Sequence, residues 1–293
     1  MKFLPSRSAL LHLRFPFSLF LLPVYVFALS QAPFLNIYNC ILVFISWHLF
    51  IYPASNGYNS YFDKDEGSIA LLKQPPKVDK SLYSTSLLFE LVGILMAFFV
   101  NWQFAAAVVI YGILSKLYSH PAIRLKKYPF ISFLVVFIFQ GAFVYWTTYA
   151  AVSRLDLRFG WNENFILAGL ICSCLIGASY PLTQVYQHEE DSKRGDRTLS
   201  IVLGIKGSFW FSAILFLAGV LLMMIYWHNL DRIINFYIFI TFCIPVLFVF
   251  IRWFAKVFKD AAEANFKNMS RMLCTSSLMI LLYFLLIFLM ENI

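Results

Sequence analysis

Charged residues are scarce in this chain. Of its 293 residues, 13% are Asp, Glu, Lys or Arg, whereas soluble domains carry about 25%. A soluble protein of this length still needs a polar exterior, so the composition excludes a water-soluble globule. In place of charge the chain has 61% hydrophobic residues and a mean hydropathy of +0.74. These residues lie in long runs, which is typical of a protein that crosses the membrane several times.

The distribution of charge and of cysteine argues against two further interpretations, a nucleic-acid-binding protein and a protein held by disulfides or cysteine-bound metal. The net charge is +8, but the cations are not gathered on a soluble face, so we expect no nucleic-acid partner. All five cysteines lie within apolar runs. Cys172 and Cys174 are two residues apart on a predicted helix and therefore point to different sides. We interpret the cysteines as small packing residues rather than as disulfides or metal ligands.

The apolar runs predict the fold. Nine of them are long enough to cross a hydrocarbon core of about 30 Å. They lie at 15–31, 34–56, 82–101, 103–119, 129–151, 164–186, 207–227, 233–255 and 272–290. No soluble domain or low-complexity linker separates them. Residues 1–293 are therefore predicted to form a single all-α membrane domain with nine transmembrane helices.

The positions of Lys and Arg predict the orientation. With the N-terminus in the cytoplasm, 20 of the 23 fall in cytoplasmic segments, leaving only Arg154, Arg158 and Arg232 outside. This is the distribution of the positive-inside rule, and one crossing more or fewer would spoil it. We therefore expect a C-terminus outside and the polar motifs on the cytoplasmic face. A cleaved signal peptide is the competing interpretation of the N-terminus, although residues 28–30 make only a weak cleavage site.

The first concentration of acidic and amide side chains ends the second predicted helix. Asn59 and Asp63 are four residues apart and share a helix face, and Asn56 lies a further three residues back. Asp65 and Glu66 continue the acidity just past the helix end. Because the face penetrates apolar sequence, where polar groups are costly, we expect it to serve a function. For the residues beyond the helix end, solvated loop charge is the alternative interpretation.

The second concentration ends the sixth predicted helix. Gln184, Gln187, His188 and Asp191 have the spacing of one helix face, and Glu190 lies beside them. Both acidic helix ends are predicted on the cytoplasmic side, so we expect them to approach across a common cavity. Mg²⁺ typically binds one or two carboxylates together with substrate phosphates. The pair of helix ends therefore predicts Mg²⁺ ions that bind a diphosphate.

A short basic segment follows the fourth predicted helix. Lys116, Arg124, Lys126 and Lys127 lie within twelve residues, with Tyr118 among them. Lys and Arg are good donors to phosphate oxygens, which favours binding of a diphosphate. The alternative is a topology determinant that contacts anionic lipid.

Together these motifs resemble the UbiA superfamily of intramembrane prenyltransferases, over essentially the whole chain. The segment 59–63 is similar to the start of the family's N-D-x-x-D-x-x-x-D motif, and 187–198 to its D-x-x-x-D-x-x-x-G-x-x-T motif. The segment 118–127 is similar to a Y-S-x-P-x-x-R-L-K-R loop, and 14–16 to an R-x-P at the first helix.

Three positions depart from the family pattern. Ser60, Gly67 and Gln187 stand where the family usually has Asp. These departures leave open the number of bound metal ions, and they leave room for a member with altered or reduced catalysis.

The resemblance implies a nine-helix bundle around a central cavity and Mg²⁺-dependent transfer of a prenyl group. The donor would be a polyprenyl diphosphate, and the acceptor an aromatic or other lipophilic molecule, with membrane lipid around the bundle. It assigns catalysis to Asp63 and Asp191. It assigns metal binding to Asn56, Asn59, Asp63, Glu66, Gln187, Glu190 and Asp191. It assigns the diphosphate to Lys116, Tyr118, Arg124, Lys126, Lys193 and Arg197.

Alternatives remain within and outside this enzyme class. Within it lie the quinone-forming and haem-farnesylating branches, each with a specific acceptor. Outside it lie a catalytically altered relative and a transporter of lipophilic molecules. A transporter is expected to carry ionisable residues near the bilayer midplane and internal repeats. The sequence has no internal repeat, and Glu90 is its main candidate for a deep charge.

Overall fold

A computed structural model describes residues 5–64, 66–157 and 161–292. Asp65 and Arg158, which entered the predictions above, lie outside these described residues. In chain order the α-helices are α1 (Arg7–His12), α2 (Phe15–Ser18), α3 (Leu22–Gln31), α4 (Ile37–Phe44), α5 (Tyr52–Asp63), α6 (Ser81–Phe98), α7 (Trp102–Ser119), α8 (Pro129–Val136), α9 (Phe143–Ser153), α10 (Glu163–Ser179), α11 (His188–Lys193), α12 (Leu199–Asn229), α13 (Ile233–Lys259) and α14 (Phe266–Asn292).

The all-α membrane fold is confirmed. Eight helical stretches of the described chain, from Arg7–Gln31 to Phe266–Glu291, are long and apolar enough to cross a bilayer. The fourth predicted crossing is α7, an 18-residue helix that is not among these eight stretches. It carries Gln103 and Lys116 in addition to several serine and tyrosine residues. At a rise of about 1.5 Å per residue it is still about 27 Å long.

The described chain divides into two compact units. The first consists of the chain up to Leu19 together with Pro33–Lys126 and Ala151–Leu155. The second consists of Phe20–Ala32, Lys127–Ala150 and the chain from Asp156 onward. The first acidic motif and the basic segment up to Lys126 therefore belong to the first unit, and the second acidic motif to the second.

One long helix of the first unit carries its acidic motif. α4, a π-helical segment at Ile45–Ile51 and α5 follow one another without a break. Pro53, the second residue of α5, has no N–H to donate and displaces the carbonyl group four residues earlier. The wider π-helical turn just before it accommodates that lost hydrogen bond, as is common at helix irregularities. The helix thus continues to Asp63, where Lys64 ends it in the left-handed region at φ 50°.

The second unit is held together by aromatic residues of its three C-terminal helices. The Phe209 ring stacks on Phe254 and packs edge-on against Trp253, with centroid separations of 4.9 and 4.7 Å. Further along, the Trp227 indole N–H donates to the Tyr283 hydroxyl at 2.7 Å, and that hydroxyl donates to a backbone carbonyl of α13 at 3.2 Å. Because unpaired polar groups are costly in an apolar core, these bonds fix the register of α12, α13 and α14.

The second acidic motif does not extend the sixth crossing as predicted. α10 ends at Ser179, a 3₁₀ turn covers Pro181–Thr183, and α11 begins at His188. Pro181 cannot donate a helical hydrogen bond, and the chain leaves the α-helix there. The predicted helix face is therefore wrong for Gln184, which lies in the turn, whereas His188 and Asp191 lie on α11.

Candidate functional site

Asp63 is the centre of the acidic motif in the first unit. Its carboxylate, only 6% exposed, forms an ion pair with the Lys126 ammonium group. Arg124 Nη2 lies 3.7 Å from the same carboxylate oxygen. Both cations follow α7, and Arg124 adopts a left-handed conformation at φ 48°. The structure thus brings together one predicted metal ligand and two predicted diphosphate-binding residues.

The amides of this motif connect α5 to its neighbours. Asn59 Nδ2 donates to Ser119 Oγ at 3.0 Å, which leaves its Oδ1 oxygen as the possible ligand for a cation. One turn earlier, the hydroxyl oxygens of Ser55 and Ser115 are 2.5 Å apart. Since both pairs are offset by the same number of residues, α5 and α7 run parallel and in register. Asn59 and Asp63 are therefore presented at the same end as the basic segment.

Asn56 is tied to the N-terminal segment. Arg14 Nη2 donates to the backbone carbonyl of Asn56 at 3.0 Å, and Asn56 Nδ2 donates to a carbonyl oxygen of that segment at 3.4 Å. Arg14 is the arginine of the R-x-P sequence. Its guanidinium group therefore holds α5 against the N-terminal segment. The residue spacing of the acidic motif alone did not reveal this role.

Three other residues of this unit were predicted to bind metal or diphosphate, and each lies in a different environment. Lys116 lies inside α7 and pairs with Glu90 of α6. Tyr118 is half-buried near the end of α7. Glu66 is exposed, three residues beyond the helix end.

In the second unit, Arg194 organises the acidic motif. Its guanidinium group lies 2.8 Å from Asp191, 3.7 Å from Glu190 and 4.0 Å from Asp196. Asp191 and Asp196 are buried, at 7% and 3% exposure. A buried carboxylate is costly unless it is paired, so the Arg194 guanidinium group stabilises this cluster.

Gln187 and His188 begin α11. Gln187 is half-buried at the N-terminal cap, without capping the helix through its side chain. His188 Nε2 forms a hydrogen bond with Ser200 Oγ at 2.7 Å, and that hydroxyl lies 2.9 Å from Ser208 Oγ. Burial lowers the pKa of His188 below its usual value of 6.5 because water no longer stabilises the charged ring. His188 is therefore neutral at neutral pH and anchors α11 to α12.

The remaining residues of the second motif include two that set the local backbone conformation. Gly195 has φ +75°, a conformation that glycine adopts at little cost. The Thr198 hydroxyl accepts a hydrogen bond from the Ile201 N–H and caps α12. Lys193 pairs with Glu189 at 2.6 Å, both largely exposed. Arg197 is also exposed.

The donor set is compatible with Mg²⁺. Within the described ranges, no three His, Cys, Asp or Glu residues converge into a complete metal site. Each unit instead offers carboxylate and amide oxygens, which are the ligands a hard cation prefers. Mg²⁺ commonly retains water and substrate phosphates as further ligands, so a partial protein shell of oxygens fits it.

Three residues at these motifs were not assigned a role from the sequence. They are Arg14, Arg194 and Asp196. Arg194 follows Glu190 and Asp191 by four and three residues, the spacing of side-chain pairs on a helix, and that signal was available. Asp196 gave no such signal, because its proximity to Arg194 depends on the turn at Gly195.

The family comparison matches most of the chain. The model of the UbiA prenyltransferase family matches residues 19–277. This range includes both acidic motifs and the basic segment. No curated protein sequence matches the chain.

Solved structures share the fold at low sequence identity. A UbiA homologue from Archaeoglobus fulgidus bound to DMAPP and Mg²⁺ is 16% identical, with 96% of this chain and 99% of that chain covered and a TM-score of 0.71. An apo UbiA homologue from Aeropyrum pernix is also 16% identical, with coverages of 92% and 97% and a TM-score of 0.67. A digeranylgeranylglyceryl phosphate synthase structure is 20% identical, with coverages of 96% and 97% and a TM-score of 0.61.

Proposed function

The chain belongs to the UbiA prenyltransferase family, and from this premise we propose that it transfers a prenyl group from a polyprenyl diphosphate to an aromatic or other lipophilic acceptor within the membrane. The family match includes both acidic motifs and the basic segment. A homologue of the same fold binds DMAPP and Mg²⁺, which supports a prenyl diphosphate as the donor and Mg²⁺ as the cofactor.

We assign metal binding to oxygen ligands of both motifs. In the first unit these are Asn59 and Asp63, with Asn56 and Glu66 nearby in the sequence. In the second they are Asp191, Glu190 and Gln187. Bound Mg²⁺ supplies positive charge that stabilises the departing diphosphate.

The cations beside Asp63 are assigned to the diphosphate. Lys126 and Arg124 already contact that carboxylate, and an incoming diphosphate competes with it for the same two cations. Charge-assisted hydrogen bonds to phosphate are among the strong ones, particularly those of a guanidinium group. Tyr118, Lys193 and Arg197 complete the proposed set.

The apolar helices have a second role in this chemistry. Loss of diphosphate leaves an allylic cation, which water would quench before the acceptor reacts. A site enclosed by apolar helices excludes water and retains the prenyl tail in hydrocarbon. The observation that carries the whole proposal is the buried Asp63 carboxylate with two cations, at the motif position of this family.

The test is Mg²⁺-dependent release of diphosphate from geranyl diphosphate by the purified chain in the presence of a lipid extract of the cells, which supplies the acceptor for the prenyl group. We expect release in wild type, and a loss of about a hundredfold or more in Asp63→Asn and Asp191→Asn, since oriented electrostatic groups supply on that order of rate. The matched control is Asp260→Asn, because Asp260 is exposed and an Asn retains its capping of the Ala261–Glu263 turn.

The outcomes separate the alternatives. Release that persists in both motif variants contradicts the residue assignment. Absence of release in wild type, with geranyl diphosphate still bound, favours a non-catalytic relative or a transporter. Mass spectrometry of lipids from cells with and without the chain identifies the prenylated product.

A further inference from the structure

A second charged pair lies deeper in the first unit than the acidic motif. Glu90 is nine residues from the start of α6, which is about 14 Å along the helix. The Lys116 ammonium group contacts both oxygens of its carboxylate. The same nitrogen lies 3.5 Å from the carbonyl oxygen of Gly112, one turn earlier in α7.

The neighbouring residues make room for this pair. A Cβ atom placed on Gly112 would overlap Glu90 Oε1, so the glycine leaves a notch in α7 for the carboxylate. Helical side chains tilt toward the N-terminus of their helix. Lys116 therefore extends toward the start of α7, whereas Asn59 and Asp63 lie at the level of its end. The pair is a site of its own and is not part of the cation cluster on Asp63.

The pair is not closed off by protein. The side chains of Lys116 and Glu90 are 32% and 15% exposed. Charged groups at such depth almost always face a cavity or the interior of the bundle, because hydrocarbon cannot solvate them. The Tyr58 ring centroid lies 5.9 Å from the Lys116 nitrogen and adds an aromatic face. The exposed side of the pair therefore presents an anion, a cation and an aromatic ring. Together these groups are suited to binding a polar head group.

We propose that the Glu90–Lys116 pair binds the polar head of the acceptor and selects an alcohol or a phenol over a carboxylic acid. This inference rests on the proposed function, since it names the acceptor class of the same reaction. The position agrees with that role. The acceptor must reach the prenyl carbon, which lies on the hydrocarbon side of the diphosphate.

The selectivity follows from hydrogen-bond chemistry. A hydroxyl group donates one hydrogen bond and accepts two, so it satisfies the Glu90 carboxylate and the Lys116 ammonium group together. A carbonyl group pairs with Lys116 only. A carboxylate is attracted by Lys116 but repelled by Glu90, and like charges in a medium of low dielectric interact strongly.

The test measures binding directly. Radiolabelled 4-hexylphenol and 4-hexylbenzoate are equilibrated at pH 8 with the full chain in nanodiscs, with empty nanodiscs subtracted. We expect wild type to prefer the phenol. In Glu90→Gln the Kd for the phenol should rise about fivefold, because a charge-assisted hydrogen bond is replaced by a weaker neutral one to the Gln oxygen. The same variant should bind the benzoate more tightly, because Lys116 is then unopposed.

Two further variants make the test selective. Glu263→Gln is the matched control, since Glu263 pairs with Lys256 at 3.7 Å on an exposed part of the second unit; it should bind as wild type does. Glu90→Gln combined with Lys116→Gln removes both charges at nearly constant volume, which avoids leaving one buried charge unpaired. This double variant should bind the phenol more weakly than wild type does, without gaining the benzoate.

Each outcome has one meaning. Equal affinity of wild type for the two probes overturns the inference, and so does a double variant that still binds the phenol as wild type does. Failure of the proposed function is a different result: wild type then releases no diphosphate from geranyl diphosphate, whatever it binds at Glu90.

Discussion

Lys126 and Asp63 form an ion pair although 63 residues separate them in the chain. Asp63 ends the motif helix, and Lys126 lies in the last part of the basic segment after α7. Both side chains are largely buried. The pair holds positive charge beside the carboxylate of Asp63, which shares a face of α5 with Asn59.

Removal of the Lys126 charge should weaken binding of the prenyl diphosphate. In Lys126→Met we expect KM for geranyl diphosphate to rise about tenfold or more, since a charge-assisted hydrogen bond is lost. Lys127→Met is the matched control, because the Lys127 ammonium group lies over the Tyr128 ring rather than at Asp63. Steady-state diphosphate release gives both KM values; equal values in the two variants would contradict the assignment.

Arg194 should be essential for the stability of the second motif. Arg194→Met leaves Asp191 and Asp196 buried without their guanidinium partner, a change that costs about 3–5 kcal/mol for a buried pair. We expect a clear fall in the thermal unfolding midpoint, measured by loss of helical circular dichroism. Arg252→Met, at an exposed position of α13, should leave the midpoint nearly unchanged. A similar midpoint in both variants would mean that the pairing is not needed for folding.

The turn at Gly195 should resist a side chain for conformational reasons alone. No atom lies within 4 Å of a Cβ placed on Gly195, but its φ is +75°. Gly195→Ala should therefore destabilise the fold by about 1 kcal/mol, the cost of that conformation for a residue with a Cβ. Gly207 lies in the helical part of α12 without positive φ, and a Cβ placed there would lie 3.3 Å from Leu203 Cβ. That tight contact offsets the helix preference of alanine, so we expect Gly207→Ala to have a smaller effect than Gly195→Ala. Thermal unfolding compares the two; equal effects would contradict the turn argument.

His188 should make stability depend on pH in the mildly acidic range. Burial lowers its pKa below 6.5 in the folded chain, so the unfolded chain binds the proton more readily. Stability is therefore greatest above pH 6.5 and decreases as the pH falls below that value toward the folded pKa. We expect the unfolding midpoint of wild type to fall more between pH 7.5 and 5.5 than that of His188→Gln, which removes the titrating ring. The same pH response in both proteins would exclude His188 as its source.

The proposed orientation is testable by labelling. In a chain whose five cysteines are replaced by serine, Lys77→Cys should react with an impermeant maleimide only after cells are permeabilised. His228→Cys, between the seventh and eighth predicted crossings, should react in intact cells. The expectation follows from the bias of Lys and Arg toward cytoplasmic segments. Labelling of Lys77→Cys in intact cells would show that the orientation is the opposite of the predicted one.

Local features of the sequence sufficed for much of the site. Asn59 and Asp63 were predicted on one face because their spacing is that of a helix turn, and α5 has that geometry. The same rule failed for Gln184, because Pro181 interrupts the helix. Pro181 is visible in the sequence. The sixth crossing, however, was predicted from the length of its apolar run, and one proline near the end of the run does not change that length.

The amino-acid sequence by itself determined that this is an all-α membrane protein with two acidic motifs and a basic segment, because apolar length and helical spacing are local properties. The tertiary structure decided which charges meet: Lys126 with Asp63, Lys116 with Glu90 and Arg194 with Asp196. Such pairs depend on the register of neighbouring helices and on turns, which are set by packing over the whole unit. Charges that look equivalent along the chain therefore acquire different partners and different proposed roles.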